Sequence, residues 1–560
     1  MRPAQACRQC RNSKRKCVRS GGDQQACRQC LKRHLDCSGT RRAIVRSPAV
    51  IAEKPGKPLP GAGVPTGDDT NGVSVGLRLD GQPVLPSQEI IEDVVECYLR
   101  CLHDKPHALF HVPTLWRDVR ERRISITVLF GILGLAARFS SNASTRARGP
   151  EFAEAAKRLF REDLENICLS NIQACILLGN IYGAEAKSDQ ESLIFGIAMR
   201  MAHICRLSED FASDSLTVRE TKRRIWWTLC MIDRWSSAGL GLPRQMHDVD
   251  TANGSAHAPE LPMDEAAFHS LGIDDMVLSQ PRRPGTWAYM IDLVNIFAPI
   301  QDLNRRLAQG TMDDDLVEEQ VLILAQRFEK WEESLPLDMK LSATNIEKHR
   351  AKGQGGTFVA LHLGFQHYAT LLFFQYLDRQ RLDRDKQRTS TTTLRSSVFA
   401  SRCKEHASAY SDLLKLADEM DDCRAVYNIV GHMTVVSSSV LLHTLLFGDE
   451  QELMPARLRL ESNFKILTKL KCIWPSVEGM MARLFTFQNA CFWAVDSHTH
   501  KIDQWMVKFL LEHALPLPNK TNLWEQSSPT ASEWEALSTE AQQLTKRSRI
   551  TSDALSGLLG

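Results

Sequence analysis

Six cysteines, Cys7, Cys10, Cys17, Cys27, Cys30 and Cys37, stand in the first forty residues with the spacing C-x2-C-x6-C-x9-C-x2-C-x6-C. The same half-motif therefore occurs twice, and both halves open on the letters Cys-Arg-Gln-Cys. This constrains the fold more than any other feature of the chain. The segment has almost no aliphatic residues, so it cannot bury enough apolar surface to fold alone. Thiolates at this spacing are tetrahedral zinc ligands, and bound metal can supply the missing core.

One zinc ion takes four ligands, so six thiolates serve two ions only if two sulfurs bridge. The duplication suggests one bridge in each half, with each C-x2-C pair chelating from a turn that opens a short helix. Six thiolates and two Zn2+ leave a cluster charge of −2. A single zinc held by four of the cysteines also satisfies the ligand count. A disulfide framework fits less well, because the sequence opens Met1-Arg2-Pro3-Ala4 with no apolar signal segment.

Basic residues crowd the first half: Arg8, Arg11, Lys14, Arg15 and Lys16. Residues 1–46 hold thirteen Lys and Arg against Asp23 and Asp36, a balance of +11, whereas the whole chain is only +2. Residues 47–560 therefore sum to −9. Positive charge is concentrated on the metal-organised segment, which is the footprint of a nucleic-acid reader. The remainder is not expected to bind DNA on its own. Short basic runs at 14–16 and 41–42 also suit nuclear import.

Residues 7–37 resemble the DNA-binding domain of the fungal zinc binuclear cluster (Zn2Cys6) transcription factors. That resemblance implies a small module of two short helices around two zinc ions. Cys7 and Cys27 would bridge: one ion would take Cys7, Cys10, Cys17 and Cys27, the other Cys27, Cys30, Cys37 and Cys7. It also implies that the first helix enters the major groove to read a CGG triplet, with Lys14 at the family's most persistent base-reading position. Lys and Arg suit guanine because O6 and N7 are both acceptors there. Two departures stand out. Ser13 replaces the usual basic residue before Lys14, and the loop 18–26 lacks the proline many members carry, with Gly21-Gly22 as the expected turn. Leu31 and Leu35, four residues apart, are expected to pack between the halves.

Residues 41–86 change character. Pro48, Pro55, Pro58, Pro60, Pro65, Pro83 and Pro86 punctuate a Gly-rich stretch that is expected to be a flexible linker. Many members of the resembled family dimerise through a coiled coil just after the cluster. No sustained heptad occurs here, so that device is not expected. A monomer and a homodimer paired through the large domain both fit.

From residue 87 to about 515 the apolar period is helical, and an all-α regulatory domain is expected. Candidate helices are 89–103, 124–139, 288–307, 316–335, 358–377, 402–420, 425–446 and 477–495. Two capping boxes, Ser188 to Glu191 and Thr217 to Glu220, are expected to open further helices. The apolar stretch 358–377 is barely long enough to span a membrane. His362, Gln366 and His367 interrupt it, so it is expected to be a core helix of a soluble protein, with no other stretch competing.

This region resembles the fungal-specific transcription factor homology domain over roughly 90–340, and more loosely to about 500. Residues 174–210 carry part of the likeness. Glu220, Arg223, Arg224, Trp226, Trp227, Asp233, Arg234, Gly241, Pro243, Asp248 and Asp250 carry the rest, followed by Leu261-Pro262. Arg223, Arg224, Trp226 and Trp227 form either a basic-aromatic nucleic-acid patch or a core in which Glu220 and Asp233 pair the arginines. The core reading is preferred. A ligand pocket between helices fits a regulatory domain, although no residue of the sequence identifies one.

Other chemistry finds little support. His103, His107 and His111 recur every fourth residue, but Pro106 and Pro113 break the helix that would align them for a metal. No HExxH, GxSxG or P-loop occurs, and no enzyme is expected. Ten further cysteines, from Cys97 to Cys491, lack ligand spacing and are expected to be buried thiols. Residues 516–560 are expected to be a flexible tail in which Trp524, Trp534, Leu537 and several glutamates resemble a coactivator-recruiting segment. The sequence thus points to a nuclear, sequence-specific DNA-binding regulator of RNA polymerase II genes. It would bind two Zn2+, read CGG triplets in duplex DNA, and respond to coactivators and a small-molecule effector. It is expected to activate, with repression, or a helical scaffold that binds DNA only weakly, as the alternatives.

Overall fold

The structure, a computed structural model, describes residues 83–105, 107–246, 259–278, 281–378, 390–493 and 500–520. All fall in the compact unit that runs from Ser74 to Gly560. The expected zinc module, with its six cysteines and with Arg8, Arg11, Lys14, Arg15 and Lys16, lies outside the described residues, as do most of the expected linker and tail.

Among the described residues every regular element is a helix. Two isolated bridges, His103 to His107 and Met263 to Pro284, are the extent of β pairing outside named strands. The first group comprises α1 (Gln88–Cys101), α2 (Val112–Arg120), α3 (Ile126–Ala136), α4 (Ala143–Ala147), α5 (Gly149–Glu162), α6 (Leu169–Ala184) and α7 (Ser188–Ile204). The central group comprises α8 (Leu216–Leu240), α9 (Glu265–His269), α10 (Thr286–Gln309), α11 (Asp314–Ser334), α12 (Ala343–Ala351) and α13 (Gly355–Phe373). The last comprises α14 (Ser390–Asp418), α15 (Val430–Phe447), α16 (Glu450–Ile473), α17 (Ser476–Trp493) and α18 (Gln504–Leu510). α3 packs on α1, α5 and α6, and α6 on α7. α8 and α13 both pack on α10, and α14 to α17 close the far side.

Local chemistry sets the helix ends. The Asp313 and Asp503 side chains accept from amides of the first turns of α11 and α18, which satisfies donors a helix start leaves free. Gly241 and Gly310 end α8 and α10 at φ 65° and 64°, a conformation glycine adopts without strain. Pro299 inside α10 has no N–H to give to the Asn295 carbonyl, and Arg327 Nη2 of α11 donates to that oxygen instead, at 3.4 Å.

Neither expected capping box forms. α7 begins at Ser188 with no side-chain cap. α8 is capped two residues earlier than expected, by Ser215, whose hydroxyl accepts from Val218 N. Thr217 instead gives its hydroxyl to Gly272 O. A genuine box occurs at Asp449 and Glu452, and it opens α16, a helix absent from the expected set. Its signal was in the sequence, beside a Pro455 that looks like a breaker.

Every residue of α13 is buried, as expected of a core helix. Among the described residues, the helix long and apolar enough to cross a membrane is α15, contrary to the expectation that nothing rivals 358–377. Its apolar window is 94% buried among the other helices. Packing also passes the expected boundaries. Pro83 and Pro86, at the end of the expected linker, are buried. At the start of the expected tail, Pro518 O accepts from Trp505 Nε1 at 2.7 Å.

Candidate ligand pocket and the charged cluster beside it

α8 carries the basic-aromatic run into the interior. Arg223, Arg224, Trp226 and Trp227 are all buried, so they form no nucleic-acid surface. Glu220, one turn earlier and itself buried, accepts from Arg223 Nη1 at 2.9 Å and Arg224 Nε at 3.2 Å. Arg282 Nη2 reaches the same carboxylate at 2.7 Å and Met263 N at 2.9 Å. Burial alone would raise the pKa of Glu220, but Arg224, Arg282 and Arg223 outweigh it and hold the carboxyl below its ordinary range. Arg224 also donates to Met263 O at 2.6 Å and lies over the Phe268 ring. The expected pairing holds for Glu220. Asp233 does something else: it accepts the amides of Gln245 and Met246 and the Ser237 hydroxyl, so it shapes the turn after α8. Asp248 and Asp250 lie outside the described residues.

The His103–His111 segment follows α1 as irregular backbone, and its three imidazoles turn to separate partners. His103 lies 3.3 Å from Asp104 and accepts from Phe110 N. His107 bonds the Tyr98 hydroxyl and His111 the Thr114 hydroxyl. Of the ten described cysteines, six are buried, three are half-buried and Cys472 is exposed, so the expectation of buried thiols holds for most. Burial pushes the Cys97 thiol up to about 11.

Between α6, α7, α8, α10, α13 and the ends of α15 and α18 lies a cavity of about 140 Å3. Much of its wall is hydrocarbon, including Phe195, Ile232, Met290 and Phe297. Tyr368 stacks on Phe297 at 4.3 Å and accepts from Trp235 Nε1 at 2.8 Å. The notable polar feature is a histidine cluster. His432 of α15 stacks on His513 with ring centroids 4.6 Å apart, and His367 of α13 meets His432 edge-on at 5.9 Å. His432 Nε2 donates to Leu510 O at 3.0 Å, and His513 Nδ1 to Leu511 O at 3.2 Å. Arg483 of α17 fixes this terminal segment by donating to the carbonyls of Lys508, Phe509 and Leu515.

Burial keeps these imidazoles neutral. His367 is held down to about 3 and His513 to about 4, and His432 lies well below the ordinary range through burial together with His513, His367 and Arg483. Glu191, at the start of α7, packs over Gly183 of α6. Burial pushes its carboxyl up to about 8, so it is protonated at neutral pH. Sequence reasoning singled out none of these groups as a site. They come from four helices and a terminal loop, and no local spacing links them.

The described residues thus form an all-helical domain with a buried charged cluster and an internal pocket, and the proteins it resembles are transcription regulators. Residues 95–333 match the fungal specific transcription factor domain, within the 90–340 span expected. The Zn(2)-C6 fungal-type transcription factor FTF1c of Fusarium oxysporum f. sp. lycopersici is 24% identical over 444 residues, covering 73% of this chain and 47% of the relative. FTF2 of the same organism is 23% identical, covering 74% and 41%. A transcriptional regulatory protein of Schizosaccharomyces pombe is 23% identical, covering 53% and 34%. The chain spans less than half the length of each of these relatives. These matches support a transcription regulator of fungal type.

Proposed function

We propose that the chain is a nuclear, sequence-specific regulator of RNA polymerase II transcription. Its amino-terminal cysteines hold two zinc ions and present Arg8, Arg11, Lys14, Arg15 and Lys16 to CGG-containing duplex DNA. The observation that carries this reading is the doubled cysteine spacing placed ahead of a match to the fungal specific transcription factor domain. The printed Zn(2)-C6 names of the Fusarium relatives support it. The donor set fits the metal: six thiols and no carboxylate ligand suit zinc, whose bound state would supply the core that the segment lacks. Cys7 and Cys27 are the proposed bridges, and the module spans residues 1–40.

The helical domain, residues 87–515, sets when the module acts, through a small-molecule effector, coactivator contacts or pairing with a second copy. Activation is the preferred direction. Ser13, at a position where the resembled family is usually basic, favours weaker DNA contact as the second reading. Selection from a randomised duplex library tests both. Enrichment of CGG-containing sites is expected, and enrichment of no motif would overturn the first reading. Native mass spectrometry of the full chain should show two bound zinc ions. A single ion would refute the bridged cluster.

A further inference from the structure

Adjacent arginines occur five times in the sequence, at 41–42, 122–123, 223–224, 282–283 and 305–306. Only Arg122 and Arg123 stand three and two residues ahead of a hydroxyl side chain, that of Ser125, and apolar Ile126 follows it directly. Two guanidiniums before the hydroxyl and an apolar residue behind it form the charge pattern that a serine kinase with an acidic substrate groove selects.

The fold leaves this pattern open to such an enzyme. α2 ends at Arg120 and α3 begins at Ile126, with a turn and irregular backbone between them. Glu121, Arg122 and Arg123 are exposed, and Ile124 and Ser125 are half-buried. The amides of Arg123 and Ile124 close the turn on Asp118 O, at 2.7 and 3.1 Å. Arg122 has φ 54° there, a left-handed conformation that costs a residue with a Cβ, so the turn loses little when it is drawn into an extended form. Ser125 immediately precedes α3, yet its hydroxyl accepts from no amide of the first turn, and modification breaks no cap.

A phosphate on Ser125 has room and counter-charge. Ser125, Arg117 and Arg123 share the wall of one open pocket with Thr114, Asp118 and Thr221. Arg117 holds Asp118 through Nε at 2.9 Å and Nη2 at 2.8 Å, which leaves its Nη1 donors for a second acceptor. Arg123 lies 3.9 Å from the same carboxylate and pairs with Glu121. Residues 117–125 carry Arg117, Arg120, Arg122 and Arg123 against Asp118 and Glu121, a balance of +2. A phosphate monoester, about −2 at neutral pH, neutralises that excess.

We propose that Ser125 is phosphorylated by a basophilic serine kinase, and that Arg117 and Arg123 then hold the phosphate between α2 and α3. In the transfer, Oγ of Ser125 bonds to the γ-phosphorus of ATP. The bond from that phosphorus to the β-phosphate oxygen breaks, ADP leaves, and the hydroxyl proton passes to the catalytic carboxylate of the kinase. α3 packs on α1, α5 and α6, so the modification acts on a helix that joins much of the first group. The site goes beyond the DNA-reading proposal and stands without it.

Incubation of the full chain with ATP and the catalytic subunit of cyclic-AMP-dependent protein kinase, a basophilic enzyme, tests the site by phosphopeptide mass spectrometry. Phosphate is expected on Ser125. Arg122→Ala should slow its incorporation at least about tenfold, the loss of one charge pair in the enzyme's groove. Arg117→Ala lies outside the recognised pattern and should leave that rate unchanged. It serves the second arm, in which urea midpoints are compared with and without phosphate. Modification should raise the midpoint of the parent chain, and by clearly less in Arg117→Ala. An unmodified Ser125, or a rate indifferent to Arg122→Ala, would overturn the site. A midpoint that does not rise on phosphorylation, or rises equally in Arg117→Ala, would overturn the role of the arginines in holding the phosphate.

Discussion

The imidazole of His513 lies flat on the place where Gly239 has no side chain: a Cβ there would come 2.5 Å from Cε1. Ala514 N donates to Gly239 O at 3.1 Å beside it, so the segment after α18 is hung on the end of α8. This contact keeps His513 stacked on His432 at the cavity wall. Gly239→Ala should force the ring away and destabilise the domain by about 1–3 kcal/mol. Urea unfolding measures the loss. In a His513→Ala background the same substitution should cost clearly less, because the clash has gone.

Glu220 sits among three arginines with 1% exposure. Glu220→Ala would leave Arg223, Arg224 and Arg282 with uncompensated charge in the interior. A destabilisation of about 3–5 kcal/mol is expected, read as a shift in the urea midpoint. A surface cluster kept for DNA contact would show almost none.

The buried and half-buried histidines make stability depend on acid. His107, His362, His367, His406 and His513 are held between about 3 and about 4 by burial. The unfolded chain protonates them near pH 6.5, so the folded state is disfavoured progressively below that value. The stability they contribute is present above about pH 6.5 and lost as pH falls toward 3. Urea midpoints measured from pH 7.5 to 4 should fall steadily on the acid side.

Glu191 acts with the opposite sign. Burial raises its carboxyl to about 8, so the folded state holds a proton that the unfolded chain gives up near pH 4.5. Its stability is present below about pH 4.5 and lost as pH rises toward 8, by at most about 1.4 kcal/mol per pH unit. Glu191→Gln should therefore stabilise the domain, and by more at pH 8 than at pH 5. An equal effect at both values would refute the assignment.

In the proposed DNA reader, Lys14→Ala should weaken binding to the selected site by about 1–3 kcal/mol in fluorescence anisotropy, with zinc content unchanged. Cys7→Ala should instead lose zinc by native mass spectrometry and lose site preference with it. An unaltered preference would refute Cys7 as a ligand.

The helical class was legible because burial imprints its period on each helix: α10, α11 and α13 overlap closely the stretches marked by apolar spacing. Helix ends were less so. Ser215 rather than Thr217 caps α8, since Thr217 found a better acceptor in Gly272 O, 55 residues away in sequence. The burial of Arg223 and Arg224 could be inferred from Glu220 close by, but Arg282, the third arginine on that carboxylate, could not.

The sequence by itself determined what depends on near neighbours: the doubled six-cysteine spacing, the concentration of positive charge beside it and the helical periodicity that follows. Only the tertiary structure decided the cavity. His367, His432, His513 and Glu191 are scattered along 323 residues and share no motif. Their environment is made by helices that meet only on folding. Burial, the force that sets their protonation and leaves Nδ1 of His432 without a donor, is a property of packing in three dimensions and leaves no local mark on the chain.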